Sequence, residues 1–384
     1  MAGLSKPARA MESPEARRYR KRFHPGVSVR EWNDWRWQLR HRIQDVEGLE
    51  RVVRLTDGER EGLMKRGALM PLSITPYYAS LIDPDDPACP IRKTKIPRVD
   101  EFVHSPGEVL DPLGEESHRP VPGIVHTYPD KALFLVTDFC ATYCRYCTRG
   151  RMVGKGEYVP TRDMWNAALD YVAATPAIRD VLLSGGDPLI LSDERLEYLL
   201  SRLRAIPHVE MIRIGTKVPI VLPQRVTKDL AKRLQRVHPL FMSLHVVHGR
   251  ELTPEVGRAC ARLADAGIPL GGQMVLLKGV NNDPAILRDL VHGQLKFRIR
   301  PYYLHQCDAI LGSSHFRTTV EEGLALIESL HGHTSGYAVP MYMVDAPGGG
   351  GKVPLSPDYR VGRENDFLVL RNYRGETYRY YDGT

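Results

Sequence analysis

From residue 132 onward the chain alternates short apolar runs with amphipathic stretches, and this alternation restricts the possible folds more than any other feature. The apolar runs occupy 132–137, 180–184, 211–215, 241–247, 273–277 and 297–304, and the amphipathic stretches occupy 162–174, 193–204, 226–236, 253–266 and 283–294. Continuous apolar runs of this length predict strands that are covered on both faces. Strands and helices that alternate at this spacing predict repeated βα units around a parallel sheet.

The six βα units are followed by an amphipathic stretch at 317–331 and a further apolar run at 338–344. This α/β pattern predicts a TIM-type barrel, complete or partial, and a doubly wound open sheet is the alternative. We expect three regions: an N-terminal helical and loop collar over 1–130, a barrel core over 131–335, and a C-terminal segment over 336–384. The last segment ends in a predicted hairpin over 366–382. In either fold the functional loops follow the carboxyl ends of the strands.

The composition narrows the class of protein. The 384 residues are 42% hydrophobic, which is ordinary for a globular chain and excludes wholesale disorder. No apolar run approaches the ~20 residues of a membrane-spanning helix, and the N-terminus has no signal-peptide apolar region. We therefore expect a cytoplasmic protein with reduced thiols and no membrane partner.

The net charge of +7 is concentrated near the N-terminus, where the first 22 residues carry seven Lys or Arg and two Glu. Such a segment predicts a mobile basic arm, and basic arms bind nucleic acid in some proteins. Because no nucleic-acid-binding motif follows, we favour a solvated terminus and expect no nucleic-acid partner.

Three cysteines, Cys140, Cys144 and Cys147, form a C-x3-C-x2-C motif directly after the first predicted barrel strand. Thiolates at this spacing are ligands for zinc, with a fourth ligand from elsewhere, or for an iron–sulfur cluster. In a [4Fe–4S] cluster, three cysteines leave one iron open to a substrate or cofactor. Three buried structural cysteines are the remaining interpretation. The other cysteines are predicted to be core thiols: Cys89, Cys260 and Cys307.

Two glycine-rich segments follow predicted strands. The first is Ser184–Pro188 (SGGDP), where glycines let the backbone approach a ligand closely. The second, Asp345–Val353 (DAPGGGGKV), is not a Walker A loop, because Ala346 and Val353 stand where Gly and Ser or Thr are needed. It predicts a flexible glycine run that presents Lys352 to a site, where a desolvated amine could form a Schiff base.

These motifs resemble those of known enzymes. The three cysteines, with Tyr146 before the last of them, resemble the signature of radical S-adenosylmethionine (SAM) enzymes. Gly185, Gly186 and Asp187 resemble the glycine-rich segment of that superfamily, which contacts the amino group of SAM. Nearly the whole chain resembles the lysine 2,3-aminomutase family, and the stretches that carry the resemblance are 31–38, 128–130, 133–151, 213–215, 221–225, 273–282, 301–318 and 344–354.

The resemblance implies three cofactors: a [4Fe–4S] cluster on the cysteine motif, SAM, and pyridoxal 5′-phosphate (PLP). Lys352 would hold PLP as an internal aldimine. Arg149 would bind the substrate carboxylate, for which its planar fork is suited. Asp308 and Asp345 match the pair that holds the side-chain ammonium in the lysine enzymes, and two carboxylates around one cation are sensible electrostatics.

Further positions match the cofactor sites of the family. Tyr128 and Lys131 would bind the PLP phosphate, and His245 and Gln273 match positions on the SAM side. The last two residues are equally compatible with ordinary packing at strand ends.

The sequence departs from the family at three places. Thr127 stands where an arginine is common, which implies less charge compensation for the PLP phosphate. His305 replaces a common tyrosine near the site. No cysteine follows Cys307, so we expect no structural zinc of the kind that clostridial relatives bind near the C-terminus.

The implied activity is that of an isomerase that moves the α-amino group of a basic L-amino acid, L-lysine first, to C3. The same reaction on L-arginine is the alternative, and a non-catalytic iron–sulfur or zinc protein that binds nucleic acid through its basic arm is a third. The resemblance also implies a reductant partner such as flavodoxin or ferredoxin, and a homo-oligomer.

Overall fold

The computed structural model describes residues 12–65 and 70–383. Nine strands form one sheet: β1 (Ile124–Tyr128), β2 (Lys131–Thr137), β3 (Asp180–Gly185), β4 (Met211–Thr216), β5 (Leu240–His245), β6 (Leu270–Leu276), β7 (Ile299–Gln306), β8 (Met341–Ala346) and β9 (Gly351–Leu355). Three more strands form a second sheet: β10 (Arg360–Glu364), β11 (Phe367–Arg371) and β12 (Thr377–Tyr381).

The strand order shows which of the two α/β architectures the chain adopts. In the large sheet each strand pairs with the next along the chain, from β1 to β9. Strands β2 to β8 are parallel, and β1 and β9 pair antiparallel at the two ends. A doubly wound sheet would reverse its strand order at a switch point, and none is present in this sheet. The predicted TIM-type barrel is confirmed, with two antiparallel strands added.

Helices cover the outside of the parallel strands. After β2 they are α8 (Arg162–Ala173), α9 (Asp193–Arg204), α10 (Val218–Val221), α11 (Lys228–Leu234), α12 (Pro254–Asp265), α13 (Pro284–Lys296) and α14 (Val320–Glu328). Each of the longer ones begins after a Ser, Thr or Asp whose side chain accepts a backbone hydrogen bond from the first turn. Each such cap contributes about 1 kcal/mol. The predicted helices are confirmed, with ends that differ by a few residues.

The N-terminal collar consists of short helices: α1 (Pro14–Phe23), α2 (Val29–Trp32), α3 (Trp35–Arg40), α4 (Val46–Glu50), α5 (Asp57–Lys65), α6 (Pro76–Ala79) and α7 (Pro90–Lys93). Trp32, Tyr77 and Tyr78 are buried in the main core. The sequence predicts that the N-terminal segment is a mobile basic arm, but α1 packs onto the rest of the protein through Ala16 and Tyr19. This part of the segment is therefore anchored. Residues 1–11 of that segment lie outside the described residues.

The hairpin predicted at the end of the C-terminal segment is present, with one strand added. The hairpin of β11 and β12 turns at Arg374 and Gly375, and β10 adds a third antiparallel strand to it. Cys89, Cys260 and Cys307 are buried, which confirms the prediction of core thiols. Within the described ranges, no helix has both the length and the apolar content to cross a membrane.

Candidate active site

The cysteine motif lies in the loop that follows β2. All three thiols are free and half-buried. Burial is the main reason that the pKa of Cys140 is raised, and the charges of Asp187, Cys147 and Cys144 raise it further. Across residues 12–65 and 70–383, no group of three or more His, Cys, Asp or Glu side chains is arranged to hold a single metal ion. The three thiols in one loop are soft ligands of the kind that bind the irons of an iron–sulfur cluster.

Buried charged residues surround this loop, and the sequence did not point to them. The Lys95 ammonium donates a hydrogen bond to Sγ of Cys144 at 3.0 Å. The Lys217 ammonium lies 2.6 Å from Oε1 of Glu251, and the Tyr78 hydroxyl donates to the same oxygen at 2.5 Å. These residues come from the collar and from the loops after β4 and β5, so no local motif connects them.

His245 lies at the end of β5, beside the cysteine loop. Its Nε2 shares a hydrogen bond of 2.9 Å with the hydroxyl of Tyr146, and the two rings stack 5.6 Å apart. Burial, followed by the nearby Lys217 and Lys95 charges, lowers the pKa of His245 well below its usual range. Its imidazole is therefore neutral at neutral pH. Gln273 is the paired residue on β6, and its Oε1 accepts a hydrogen bond from Tyr302 at 3.2 Å.

The glycine-rich segment after β3 packs directly on the cysteine loop. Gly185 has φ +114°, and a Cβ there would lie 2.2 Å from the carbonyl oxygen of Thr137. A Cβ on Gly186 would lie 2.4 Å from the carbonyl oxygen of Phe139. Glycine is required at both positions because the two backbones are in contact. The segment thereby fixes the position of the loop that carries the cysteines.

Asp187 joins this segment to the end of β4. Its carboxylate accepts hydrogen bonds from the Thr216 hydroxyl at 2.6 Å and from the backbone N–H groups of Lys217, Val218 and Leu189 at 2.7, 2.9 and 3.2 Å. Burial nevertheless raises the pKa of this carboxyl. The side chain of Asp187 is thus committed to protein contacts.

Lys352 is presented by a β-hairpin rather than by a flexible run of glycines. Strands β8 and β9 pair so that Asp345 lies directly opposite Lys352, and the turn between them has positive φ at Gly348 and Gly349. The Lys352 ammonium lies 2.6 Å from Oδ1 of Asp345. The Lys352 backbone N–H donates to the Tyr128 hydroxyl at 2.8 Å. The register of the hairpin therefore places the Lys352 amine in hydrogen-bond contact with the Asp345 carboxylate.

Asp345 has a second partner and a nearby like charge. His305 Nδ1 lies 3.3 Å from its Oδ2. Although burial alone would raise it, His305 and Lys352 together lower the pKa of Asp345 to about 2. Burial and the charge of Asp345 raise the pKa of Asp308 to about 7. The two aspartates thus form one electrostatic unit, in which Asp345 is always charged at neutral pH and Asp308 titrates.

Arg149 is held by an acidic residue of the collar. Its guanidinium donates to Glu115 at 2.7 Å through Nη2 and 3.0 Å through Nε, and to the Ser184 hydroxyl at 3.2 Å through Nη1. Arg151 also contacts Glu115, at 3.0 Å. These contacts use three of the five N–H donors of Arg149 and leave two for a ligand.

A cavity of about 800 Å³ inside the barrel brings together the residues predicted to bind PLP and the substrate carboxylate, together with Asp345, whereas Asp308 and the residues predicted to bind the cluster and SAM are not among those that line it. All nine strands of the large sheet contribute to its wall, and Lys352, Asp345, Arg149, Tyr128 and Lys131 are among the lining residues. Its size lies in the upper part of the range for small-molecule and cofactor sites.

Several basic side chains line the same cavity. The Lys131 ammonium lies over the Tyr128 ring, 4.4 Å from its centre. Arg213, which is paired with Asp180 at 2.8 Å, and Arg300 also line the cavity. Sequence reasoning missed both arginines, because they lie inside strands and belong to no motif. Together these cations make the cavity suitable for an anionic group.

Comparisons with known proteins agree with these observations. A family model described as the radical SAM superfamily matches residues 134–290, and one described as lysine-2,3-aminomutase matches residues 327–383. The radical SAM match includes the three cysteines, and that superfamily implies a [4Fe–4S] cluster and SAM.

Curated relatives extend the match to most of the chain. The L-lysine 2,3-aminomutases of Fusobacterium nucleatum and Clostridium subterminale are each 50% identical to it, over 93% and 91% of this chain and 84% of each relative. The glutamate 2,3-aminomutase of Clostridioides difficile is 42% identical over 92% of this chain and 83% of that enzyme. The protein therefore belongs to the lysine 2,3-aminomutase family of radical SAM enzymes.

Proposed function

We propose that this protein is a PLP-dependent 2,3-aminomutase that moves the α-amino group of a basic L-amino acid, with L-lysine as the first candidate, to C3. The observation that carries the proposal is the pair of aspartates beside Lys352. Asp345 already holds one cation, the Lys352 ammonium, at 2.6 Å, and Asp308 is close enough for its pKa to be raised by Asp345. A pair of carboxylates with this coupling favours a substrate that brings a positive charge.

The cofactors supply the difficult chemistry. When bound, the reduced cluster and SAM supply a carbon radical that removes a hydrogen atom from C3, and PLP supplies the aldehyde that binds the migrating nitrogen. Lys352 is the amine that would hold PLP, and Lys131 and Tyr128 would bind its phosphate. Arg300 adds positive charge to the cavity, which offsets the presence of Thr127 where the family often has arginine, whereas the charge of Arg213 is balanced by Asp180.

The protein's own groups bind and orient the substrate. Arg149 offers two free donors at the cavity wall, while Glu115 and Ser184 hold its guanidinium in one orientation. A substrate carboxylate on Arg149 and a side-chain cation at the two aspartates would fix the amino acid at both ends. Because the cavity lies inside the barrel, bound substrate would also be shielded from water.

His305 keeps L-arginine as the second candidate. Its ring contacts Oδ2 of Asp345 and occupies one of the lone pairs of that oxygen. The Asp345 carboxylate therefore has fewer lone pairs left to accept hydrogen bonds from a ligand than an isolated aspartate would have. A guanidinium, which spreads its charge over a planar fork, can use the remaining lone pairs together with Asp308. The ammonium of lysine needs only one short contact, so both substrates fit the charge of the site.

We also propose a low-potential protein such as flavodoxin or ferredoxin as the electron donor, a homo-oligomeric assembly and a cytoplasmic location. These follow from the family rather than from a particular contact.

The deciding experiment is a substrate comparison. Anaerobically reconstituted enzyme with SAM, PLP and dithionite is incubated separately with L-lysine, L-arginine and L-glutamate, and the β-amino products are identified by mass spectrometry. We expect turnover of L-lysine and none of L-glutamate. Turnover of L-arginine alone would select the second candidate, and turnover of neither cationic amino acid would overturn the argument from the two aspartates.

A further inference from the structure

Lys95 is a buried lysine of the collar that touches the cysteine motif. Its side chain is 1% exposed, and its ammonium donates to Sγ of Cys144 at 3.0 Å. The ring of Tyr78 lies 5.1 Å from the ammonium, and the charge of Glu251 also acts favourably on it. Burying an ammonium is costly, and the direct hydrogen bond to the Cys144 thiol offsets part of that cost.

The nearest carboxylate, Glu251, is hydrogen-bonded to other residues, so the direct hydrogen bond of Lys95 is to the thiol of Cys144. Glu251, the nearest carboxylate of this pocket, is used by Lys217 at 2.6 Å and by the Tyr78 hydroxyl at 2.5 Å. The Lys95 ammonium has the Cys144 sulfur as its hydrogen-bond partner, at 3.0 Å. The local field therefore favours negative charge on this sulfur.

Backbone contacts hold the lysine in place. The N–H of Arg145 donates to the carbonyl oxygen of Thr94 at 3.1 Å, so the residue before Lys95 is tied to the residue after Cys144. This backbone bond holds the Lys95 backbone close to the cysteine loop, so that the lysine side chain can reach Sγ of Cys144.

We propose that Lys95 is a positioning residue of the cluster site, whose ammonium hydrogen-bonds the Cys144 thiolate and favours the reduced state of the cluster bound there. Reduction adds one electron, supplied by a low-potential donor, and so adds one negative charge to the cluster. A fixed positive charge in a buried site stabilises the state with more negative charge, and hydrogen bonds to cluster sulfurs act in the same direction.

The test is the midpoint potential of the reconstituted enzyme, measured by EPR-monitored redox titration in the absence of SAM and amino acid. We expect Lys95→Met to make the potential more negative, with at least a tenfold shift in the equilibrium between reduced and oxidised cluster, which is about 59 mV for one electron. Lys95→Gln, which retains an N–H donor without the charge, should shift it less. Lys95→Arg should stay near the wild type.

Lys93 provides the matched control. It lies two residues away, and its ammonium donates to the carbonyl oxygen of Gly279 at 3.2 Å instead of to a thiol. Lys93→Met should leave the midpoint unchanged. A wild-type midpoint in Lys95→Met, or an equal shift in Lys93→Met, would overturn the proposal.

Iron content covers the case in which a variant loses the cluster. Loss from Lys95→Met and Lys95→Gln with retention in Lys95→Arg would support the charge role through cluster binding. Loss from all three variants would mean that only the shape of lysine matters, and it would overturn the proposal. Because neither PLP nor an amino acid takes part in the measurement, the result is independent of the proposed substrate.

Discussion

At the scale of single residues, Asp345 is the point where the charges of the candidate site meet. One carboxylate oxygen accepts a hydrogen bond from the Lys352 ammonium, and the other contacts His305. The negative charge of Asp345 also raises the pKa of Asp308. Removing this charge would change the environment of all three neighbours. Asp345 is therefore the most sensitive residue for testing how the site binds a cation.

We expect Asp345→Asn to lower kcat/KM for the basic amino acid by roughly 30-fold or more, because loss of one member of a buried charge pair costs about 2–5 kcal/mol. Steady-state kinetics of the reconstituted enzyme measures the effect. Asp358→Asn is the control, since Asp358 is exposed and its ion pair is with Arg360, outside the cavity. Equal activity of the two variants would mean that Asp345 does not bind the substrate.

Asp308 predicts a pH dependence of substrate binding. Its pKa of about 7 arises mainly from burial and then from the Asp345 charge. A cationic ligand binds the deprotonated carboxylate, so affinity should be full above pH 7 and should fall as the pH drops through 7 toward 6. Calorimetry in buffers of different ionisation enthalpy should also show proton release on binding near pH 7.

The matched variant for this pH dependence is Asp308→Asn, which cannot titrate. It should bind the amino acid more weakly than wild type at pH 8, with an affinity that is nearly constant between pH 6 and 8. If the variant keeps the pH dependence of the wild type, the titrating group is another residue.

The residues that sequence reasoning could find differ physically from those it missed. Cys140 stands in a short motif whose spacing itself indicates chemistry, and Lys352 stands in a glycine-rich segment that the family resemblance identifies. Lys95 and Glu115 carry no local pattern, and only packing of the collar onto the barrel brings them to Cys144 and Arg149. Such contacts depend on tertiary structure and cannot be deduced from a single sequence.

At the scale of elements, the hairpin of β8 and β9 decides where Lys352 lies. The register Asp345 to Lys352 depends on a turn with positive φ at three glycines, Gly348, Gly349 and Gly351. A one-residue change in register would move the amine to the other face of the strand. The glycines are therefore needed for geometry, and flexibility is not required of them.

We expect Gly349→Ala to impair PLP binding and activity about tenfold. Its φ is +87°, and an added Cβ would lie 2.3 Å from the ring of His118. The strain falls on the turn and shifts Lys352. Absorbance titration with PLP measures the effect.

Gly362→Ala in β10 is the control for this turn. Nothing lies within 4 Å of an added Cβ there, and its φ is not positive. It should bind PLP as the wild type does. Wild-type PLP binding by Gly349→Ala would show that the turn tolerates a side chain and that the register is set elsewhere.

Elements that the sequence pattern did not predict have identifiable causes. Strand β9 contains Pro354, which lowers strand propensity but is tolerated at the end of a sheet. Strand β6 begins at Leu270, earlier than the predicted 273, because Gly271 and Gly272 interrupt the apolar pattern. A Cβ on Gly272 would lie 1.7 Å from Oε1 of Gln294 on α13, so packing of the helix, rather than strand propensity, selects this glycine.

At the scale of the whole molecule, the collar and the barrel act as one site. Collar residues reach the cysteine loop through buried charges: Lys95 contacts Cys144, Glu115 contacts Arg149, and Glu101 contacts Arg145. The cofactor motif therefore depends on a region that contains no cofactor motif itself. Disturbing the collar should affect the cluster loop even when no cysteine is changed.

The Glu101–Arg145 ion pair tests this coupling. Both side chains are almost completely buried, the Nε of Arg145 donates to Glu101 at 2.8 Å, and Nη1 donates to the carbonyl oxygen of Met70 at 3.0 Å. Glu101→Gln would leave the guanidinium buried without a counter-charge, a change that costs about 3 kcal/mol. We expect Glu101→Gln to unfold at a lower urea concentration and to hold less iron after reconstitution, because Arg145 lies between Cys144 and Cys147.

The control is Glu364→Gln, which removes the partner of Arg379 in an exposed ion pair. It should change the free energy of unfolding by less than about 0.5 kcal/mol and leave the iron content unchanged. If Glu101→Gln unfolds earlier but binds iron normally, the collar stabilises the fold without positioning the cluster loop.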